Sequence, residues 1–294
     1  MKFWESSKLM KIATALSEAR LLLDSKGVSS SRLDSLILLS HTFFICGIAF
    51  SKDQIIFNPD RDLSEEQQKI FFDLIERRAA REPVSHLVNK REFFGEDFFV
   101  SKDVLDPRPD SESLIELVLK TFAKNEKFKV LEVGVGSGCL IITLLKAFES
   151  VVGIGVDISE KALEIAQKNA EIHQVQNRLQ LLKSDLFSVL NSGEKFDLII
   201  SNPPYIPSLD IEDLEPEVSI YEPRTALDGG KDGLYFYKKI AEKSQNFLVE
   251  NGKIILEIGI GQEEKITEFF LENGFEFIEA KHDLSGVIRV LCFK

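Results

Sequence analysis

Apolar residues recur at helical spacing through residues 5–24 (ESSKLMKIATALSEARLLLD), and the run stops at Lys26-Gly27. A second helix is predicted from Ser31 to Ser51, and Leu63-Ser64 opens a third that runs to about Arg81 before Pro83 ends it. Ser64 followed by Gln67 has the spacing of a capping box. These elements predict a small helical domain over residues 1–83, without a cluster of catalytic side chains and suited to substrate docking or to scaffolding. From Val84 to Val100 short apolar runs flank Gly95 (REFFGEDFFV), which predicts a β-hairpin bridging the domains within a linker over 84–108. In LDPRPDSE, residues 105–112, two prolines impose an extended approach, and Asp110 or Ser111 caps a helix lasting to about Ala123.

Beyond this point the pattern alternates. Short apolar runs at Phe128–Val133, Val151–Val156, Leu179–Lys183, Phe196–Ile200 and Lys253–Ile258 are separated in several places by helical patterns at 138–147, 159–173 and 232–250. Strand and helix in turn predict a parallel sheet covered on both faces, in a domain over 109–294. A last helix, 262–273, leads to Phe275–Lys281 and Val287–Phe293, strands so closely joined that they either pair antiparallel or lie apart.

Bulk properties narrow the class of function. The 294 residues allow one large core and a smaller one, because single cores divide beyond roughly 250 residues. Hydrophobic residues at 44% and charged residues at 29% are those of a soluble globular protein. Three cysteines, Cys46, Cys139 and Cys292, lack both an even count and CxxC spacing, which argues for a reducing cytoplasm and against zinc. Neither a signal peptide nor a membrane span is predicted: Leu36–Phe50, the most apolar window, is interrupted by Ser40, His41 and Thr42. Residues 1–85 carry 12 basic and 12 acidic side chains, so the net charge of −12 lies wholly in the later part. Phosphate backbones are held by clustered Lys and Arg, so no direct nucleic-acid contact is expected there.

The chemistry centres on Phe196–Ile206, FDLIISNPPYI. A buried strand runs into Asn202, Pro203, Pro204 and Tyr205, where two prolines end sheet pairing and hold the backbone extended. The Asn202 side-chain oxygen and the Pro203 carbonyl can each accept one N–H of a planar –NH2 group, with the Tyr205 ring as a stacking face. Upstream, the loop Glu132-Val133-Gly134-Val135-Gly136-Ser137-Gly138-Cys139 follows a strand and opens a helix. A dinucleotide fingerprint counted from Gly134 requires glycine at 139, where Cys139 stands; the GxGxG loop therefore suits a ligand without pyrophosphate. Asp157 ends the next strand, placed either for ribose hydroxyls or as a helix cap. Asp185 follows the third strand, placed for an adenine amino group with Leu186 or Phe187 against the ring, or as a simple turn. Arg108 and Glu112 either line the site or form surface ion pairs. His41, His86, His173 and His282 form no cluster and are read as structural.

With these residues assembled, the chain resembles a class I S-adenosylmethionine-dependent methyltransferase. LDPRPDSE, EPRTALDGGKDGL (222–234) and the helical N-terminal domain resemble the release-factor glutamine N5-methyltransferase family. The resemblance implies a seven-stranded Rossmann-like sheet with an antiparallel last strand, a small N-terminal helical domain and a linking β-hairpin. It also implies S-adenosyl-L-methionine as cofactor, held by Glu132, Gly134, Val135, Gly136, Ser137, Gly138, Asp157, Asp185, Leu186 and Asn202. The substrate implied is the glutamine of the Gly-Gly-Gln loop of peptide-chain release factors, bound by Asn202, Pro203, Pro204 and Tyr205, with Asn202, Pro203 and Tyr205 catalytic. A ribosomal-protein glutamine methyltransferase, an adenine-N6 nucleic-acid methyltransferase and a binding module without turnover are the alternatives. Four positions depart from the family pattern: Glu132 stands for Asp, His86 for Tyr, Asn89 for Gly and Asp106 for Ile.

Overall fold

The computed structural model describes residues 9–283 and 285–294, and the chain divides between Asn89 and Lys90 into a helical unit and an α/β unit. The helical unit comprises β1 (Met10–Lys11), α1 (Ile12–Ser25), α2 (Ser31–Ile45), α3 (Lys52–Phe57), β2 (Asp62–Leu63), α4 (Glu65–Ala79) and α5 (Val84–Val88). Leu23 of α1, Leu39 and Phe43 of α2, and Phe71 and Ile75 of α4 form its core, the apolar stripes that the periodicity requires. Ser64 and Gln67 close the capping box, each side chain accepting the other's backbone N–H at 3.2 and 2.9 Å.

Local chemistry overrides periodicity at three places in this unit. The first helix begins at Ile12 rather than residue 5: residues 5–8 lie outside the described residues, and Met10–Lys11 pair antiparallel with Asp62–Leu63 as a strand. The second helix ends at Ile45 rather than Ser51: Gly47 turns the chain at φ 72°, and Ser51 then caps α3 in a second capping box with Gln54. Val84–Val88 is a turn of helix instead of a hairpin strand, ended by Asn89 at φ 52°. Asn tolerates that left-handed conformation better than most residues, which accounts for Asn at a position where glycine was expected.

The α/β unit begins with the hairpin β3 (Arg91–Phe93) and β4 (Glu96–Phe98), paired antiparallel around Phe94-Gly95. It continues through α6 (Glu112–Thr121), β5 (Lys129–Val133), α7 (Cys139–Ala147), β6 (Val152–Asp157), α8 (Glu160–Ile172), β7 (Leu179–Lys183), β8 (Phe196–Ser201) and α9 (Pro216–Ser219). It ends with α10 (Tyr235–Ser244), β9 (Leu248–Glu257), α11 (Glu263–Glu272), β10 (Phe277–His282) and β11 (Ile288–Phe293). Neither Asp110 nor Ser111 caps α6 with its side chain; Pro109–Ser111 is a 3-10 turn leading into it. The helix expected through residue 250 stops at Ser244. Gln245–Phe247 turns, and β9 begins at Leu248 with Asn251 at φ 66° in an irregular register.

Seven strands form one sheet in the order β10-β11-β9-β8-β5-β6-β7. Only β11 runs against its neighbours, so the antiparallel last strand holds. Alternation divides the core between the two faces. Val130, Leu198 and Ile255 pack with α6, α7 and α8, whereas Leu131, Ile199 and Ile254 pack with α10 and α11. Strand order reverses at β5, with β6 on one side and β8 on the other, which opens a crevice at the carboxyl ends.

Gly155 of β6 lies beneath the loop that follows β5. A Cβ there would lie 2.8 Å from Val135 Cγ2 and 2.9 Å from Leu181 Cδ2. Gly155→Val is therefore expected to cost ~1–3 kcal/mol through overpacking, read as a lower denaturant midpoint. A midpoint equal to wild type would contradict this packing.

Candidate active site

A cavity of about 460 Å³ occupies the crevice, within the ~300–1,000 Å³ range of small-ligand sites. Glu132, Gly134, Val135, Gly136, Ser137, Asp157, Asp185, Leu186, Asn202, Pro203 and Pro204 all line it. Gly138 and Tyr205 do not.

The glycine loop is wired inward. Gly134 and Val135 donate their N–H groups to the Val156 carbonyl at 2.9 and 3.0 Å, and Gly136 donates to Asp157 Oδ2 at 2.9 Å. The Glu132 Oε2 atom accepts the Ile141 N–H at 3.0 Å, within the first turn of α7. Donors that would cradle a pyrophosphate are thus already engaged, two of them by carboxylates. Gly134 and Gly136 have positive φ and no heavy atom within 4 Å of where a Cβ would stand, leaving room for a ligand against the backbone. Gly138 serves packing: a Cβ there would meet Ile142 Cδ1 at 2.9 Å.

Carboxylates dominate this wall. Burial pushes the Glu132 carboxyl well above its ordinary pKa, with Asp157 adding to the effect and the Ile141 N–H opposing it. Burial also raises Asp157, against the donated N–H groups of Ser159 and Gly136. Such acids gain from a ligand bearing hydroxyl or ammonium donors. Burial likewise raises the Cys139 thiol, so it stays protonated and inert. Asp185 is exposed at the rim, and Leu186 at φ 51° turns its side chain to the cavity. Phe187 is buried and stacks on Phe247 at 5.2 Å, so of the two candidates Leu186 is the one at the site.

Opposite stands the Asn-Pro-Pro-Tyr segment. Ser201 Oγ donates to the Val133 carbonyl at 2.6 Å, tying the end of β8 to the end of β5. Asn202 Nδ2 donates to Ser111 Oγ at 3.2 Å, which leaves Oδ1 as the acceptor end of the amide. Tyr205 packs on the core face that contains Leu234 and Tyr237, and burial raises its phenol to about 12. Gln262 clamps the segment, donating to the Tyr205 carbonyl at 3.0 Å and accepting the Gly259 N–H at 3.0 Å. The chain of residues 227–230 lies alongside: Ile206 donates to Leu227 O at 3.1 Å and Gly229 to Ile206 O at 2.8 Å. A Cβ on Gly229 would come within 2.8 Å of the Pro204 carbonyl, so the glycines of LDGG allow this close approach.

Arg108 lines the cavity and pairs with buried Glu222 at 2.6 Å, joining the two segments that flank the site. Glu112 has another task, accepting the Phe94 N–H at 2.9 Å in the hairpin turn. Sequence reasoning read Ser111 only as a helix cap and passed over Arg224 within EPRTAL; it missed Gln262 and Phe236, which carry no distinctive local spacing, and Glu257, which does: an acid within the apolar run of β9 (KIILEIG). Glu257 is 2% exposed and lies behind Asn202. Burial pushes its carboxyl up to about 7, helped by Asp110 and opposed by hydrogen bonding to Ser111 and Asn202 and by Arg289.

The family described as Methyltransferase small domain matches residues 107–217, and the PrmC N-terminal domain matches residues 14–88. Over 287 residues the chain is 36% identical to the release factor glutamine methyltransferase of Agrobacterium fabrum, covering 96% of this chain and 97% of that protein. It is 38% identical to the protein of the same name from Geobacter sulfurreducens, covering 98% of each. Among solved structures, a methyltransferase from Pyrococcus furiosus aligns at TM-score 0.52 and 22% identity over 74% of this chain and 96% of its own. The catalytic domain of hMettl16 aligns at 0.56 and 16% over 76% and 80%. At those identities the two structures speak for the fold alone.

The buried acid behind Asn202 makes stability depend on pH. The folded chain holds the Glu257 proton up to about 7, whereas the unfolded chain releases it near 4.5. Between those values the folded state binds more protons, so this group's contribution to stability falls as pH rises. Glu257→Gln removes that slope, and its stability relative to wild type should rise by up to about 3 kcal/mol between pH 4.5 and 8. Parallel unfolding profiles for the two proteins would contradict the assignment.

Proposed function

The chain belongs to the release factor glutamine methyltransferase family, and from that premise we propose that it methylates the side-chain amide nitrogen (N5) of the glutamine in the Gly-Gly-Gln loop of peptide-chain release factors. The observation that carries this reading is the Asn202 amide at the cavity wall, its Nδ2 turned back to Ser111 and its Oδ1 left as an acceptor.

The cofactor we propose is S-adenosyl-L-methionine, which supplies an activated sulfonium methyl group when bound. The wall fits such a ligand: its glycine loop is committed to internal acceptors, and its acids suit an ammonium group and ribose hydroxyls. Glu132 with Gly134, Val135, Gly136 and Ser137 would hold the methionine end, with Gly138 shaping the turn. Asp157 would hold the ribose, and Asp185 with Leu186 the adenine.

A carboxamide nitrogen is a weak nucleophile because its lone pair is delocalised into the carbonyl. Alignment is what the protein contributes. Asn202 Oδ1 and the Pro203 carbonyl would accept the two amide hydrogens, turning the lone pair toward the methyl donor; as the N–C bond forms and the C–S bond breaks, leaving a neutral thioether, the same oxygens stabilise positive charge on nitrogen until one of the two protons is released to water. Pro204 keeps the segment extended, while Tyr205, clamped by Gln262 through its carbonyl, limits movement of the segment. We assign docking of the release factor to the helical domain over 1–83, with 84–108 as a linker, and the chemistry to 109–294. Among the described residues no helix is long and apolar enough to cross a membrane, and the three cysteines are free; we place the protein in the cytoplasm.

Asn202→Ala should lower the rate of methyl transfer ~10²–10³-fold, as loss of one preorganised hydrogen-bonding group does, while cofactor affinity survives. Near-normal turnover would overturn the assignment. Asp157→Ala should do the reverse, weakening cofactor binding in calorimetry. Unchanged affinity there would remove the ribose contact.

A further inference from the structure

Asparagine is a two-ended group. Its oxygen and nitrogen are nearly isosteric, and a half-turn about the last side-chain torsion exchanges acceptor for donor. The proposed chemistry needs the oxygen at the cavity, so something must fix the orientation. Neither proline of the segment has a backbone N–H, so neither can hold the amide oxygen in place.

The groups behind Asn202 are Ser111, from the turn before α6, and Glu257, at the end of β9. Asn202 Nδ2 donates to Ser111 Oγ at 3.2 Å, and the buried Glu257 carboxyl lies near enough to both side chains for their hydrogen-bonding groups to oppose the upward push of burial on its pKa. We propose that Glu257 is a positioning residue that acts with Ser111 to hold the Asn202 amide with Nδ2 inward and Oδ1 toward the acceptor glutamine. The inference rests on the role given above to Asn202.

An ionised carboxylate only accepts, so Ser111 must give it the hydroxyl hydrogen and keep a lone pair for the Asn202 N–H. The direction of every bond in the row is then set from its buried end. A protonated Glu257 breaks the rule: the acid can donate to Ser111, whose hydroxyl can turn to donate to Asn202 Oδ1, and the amide can reverse. Glu257 Oε2 is fully buried without a hydrogen-bond partner, so the neutral acid can carry its hydrogen there or turn it toward Ser111.

The groups around the carboxyl are Asp110 before α6, which favours the proton, and Arg289 on β11, which opposes it. The Tyr205 and Tyr237 phenols and the Cys139 thiol also feel its charge, and all three are raised and neutral near pH 7. Tyr237 donates to the backbone carbonyl of Glu257 at 2.9 Å, fixing the residue without using its side chain. Arg289 is itself held by Asp110 and Asp283 at 2.9 and 3.0 Å, so among the described residues Glu257 lacks a dedicated counter-ion. The accepting glutamine amide has no ionisation near neutrality, so acid-side loss of rate has its source in the enzyme.

The test uses the full chain and two readouts. In wild type, kcat for methylation should fall about tenfold from pH 8 to pH 6, as a single ionisation near 7 gives. Glu257→Gln, of equal size but able to donate at any pH, should be slower by about tenfold at pH 8 and flat over that range, with cofactor affinity unchanged. The second readout needs no turnover: the Asn202 side-chain amide resonance, assigned by its absence in Asn202→Ala, should shift with pH through 7 in wild type and stay fixed in Glu257→Gln. Ser111→Ala removes the middle of the row and should reduce the same shift. An Asn202 resonance indifferent to pH and to both substitutions would overturn the inference, even if methylation proceeds. A resonance that titrates as described, in a protein that methylates no release factor, would instead uphold it and remove the proposed function.

Discussion

The hydroxyl of Ser201 donates to the carbonyl of Val133, and this 2.6 Å bond across the ends of β8 and β5 is what the rest of the site depends on. Parallel pairing sets Ser201 level with Val133, so both strands end at the same height. One chain then turns into the glycine loop, and the other leaves through Asn202, Pro203 and Pro204. A slip of one residue would send every apolar side chain of the strand to the wrong face, and the two-sided core forbids it. The facing walls of the cavity are therefore placed by the same packing that holds the sheet.

The character of the site follows from where its hydrogen-bond donors already point. Backbone N–H groups after β5 and at the start of α7 are taken by Val156, Asp157 and Glu132. A loop spent in this way has little left for phosphate and much to offer a ligand rich in hydroxyl and amino groups. Nearby cations are themselves committed, Arg108 to Glu222 and Arg224 to Asp228. The wall reads as a set of acceptors, and that matches a methyl donor carrying ribose hydroxyls and an ammonium group.

Most of the fold was legible because its elements are short and each is bounded by a turn signal. Leu179–Lys183 was placed to the residue, and Ser64 with Gln67 announced the start of α4. The failures are where local chemistry interrupts a continuing pattern. Gly47 and the Ser51 cap split an apolar run that periodicity joins, and the Asn251-Gly252 irregularity gave a strand the look of a helix end. In the site, strand ends made Asp157, Asp185 and Asn202 readable, and each lines the cavity. Tyr205 does not, because the pairing of residues 206 and 227–230 turns its ring onto the core. Ser111 and Glu257 are joined to Asn202 only by folding, across separations of 91 and 55 positions, which no local spacing reports.

The central claim is that the cavity presents one amide nitrogen of one glutamine to a methyl donor. Its most direct test is incubation with S-adenosylmethionine labelled in the methyl group and a purified release factor, native or with its Gly-Gly-Gln loop changed to Gly-Gly-Ala. Label on the native loop alone, at the glutamine side chain, is the result the account predicts. Equal label on both, or none on either despite measured cofactor binding, would contradict it.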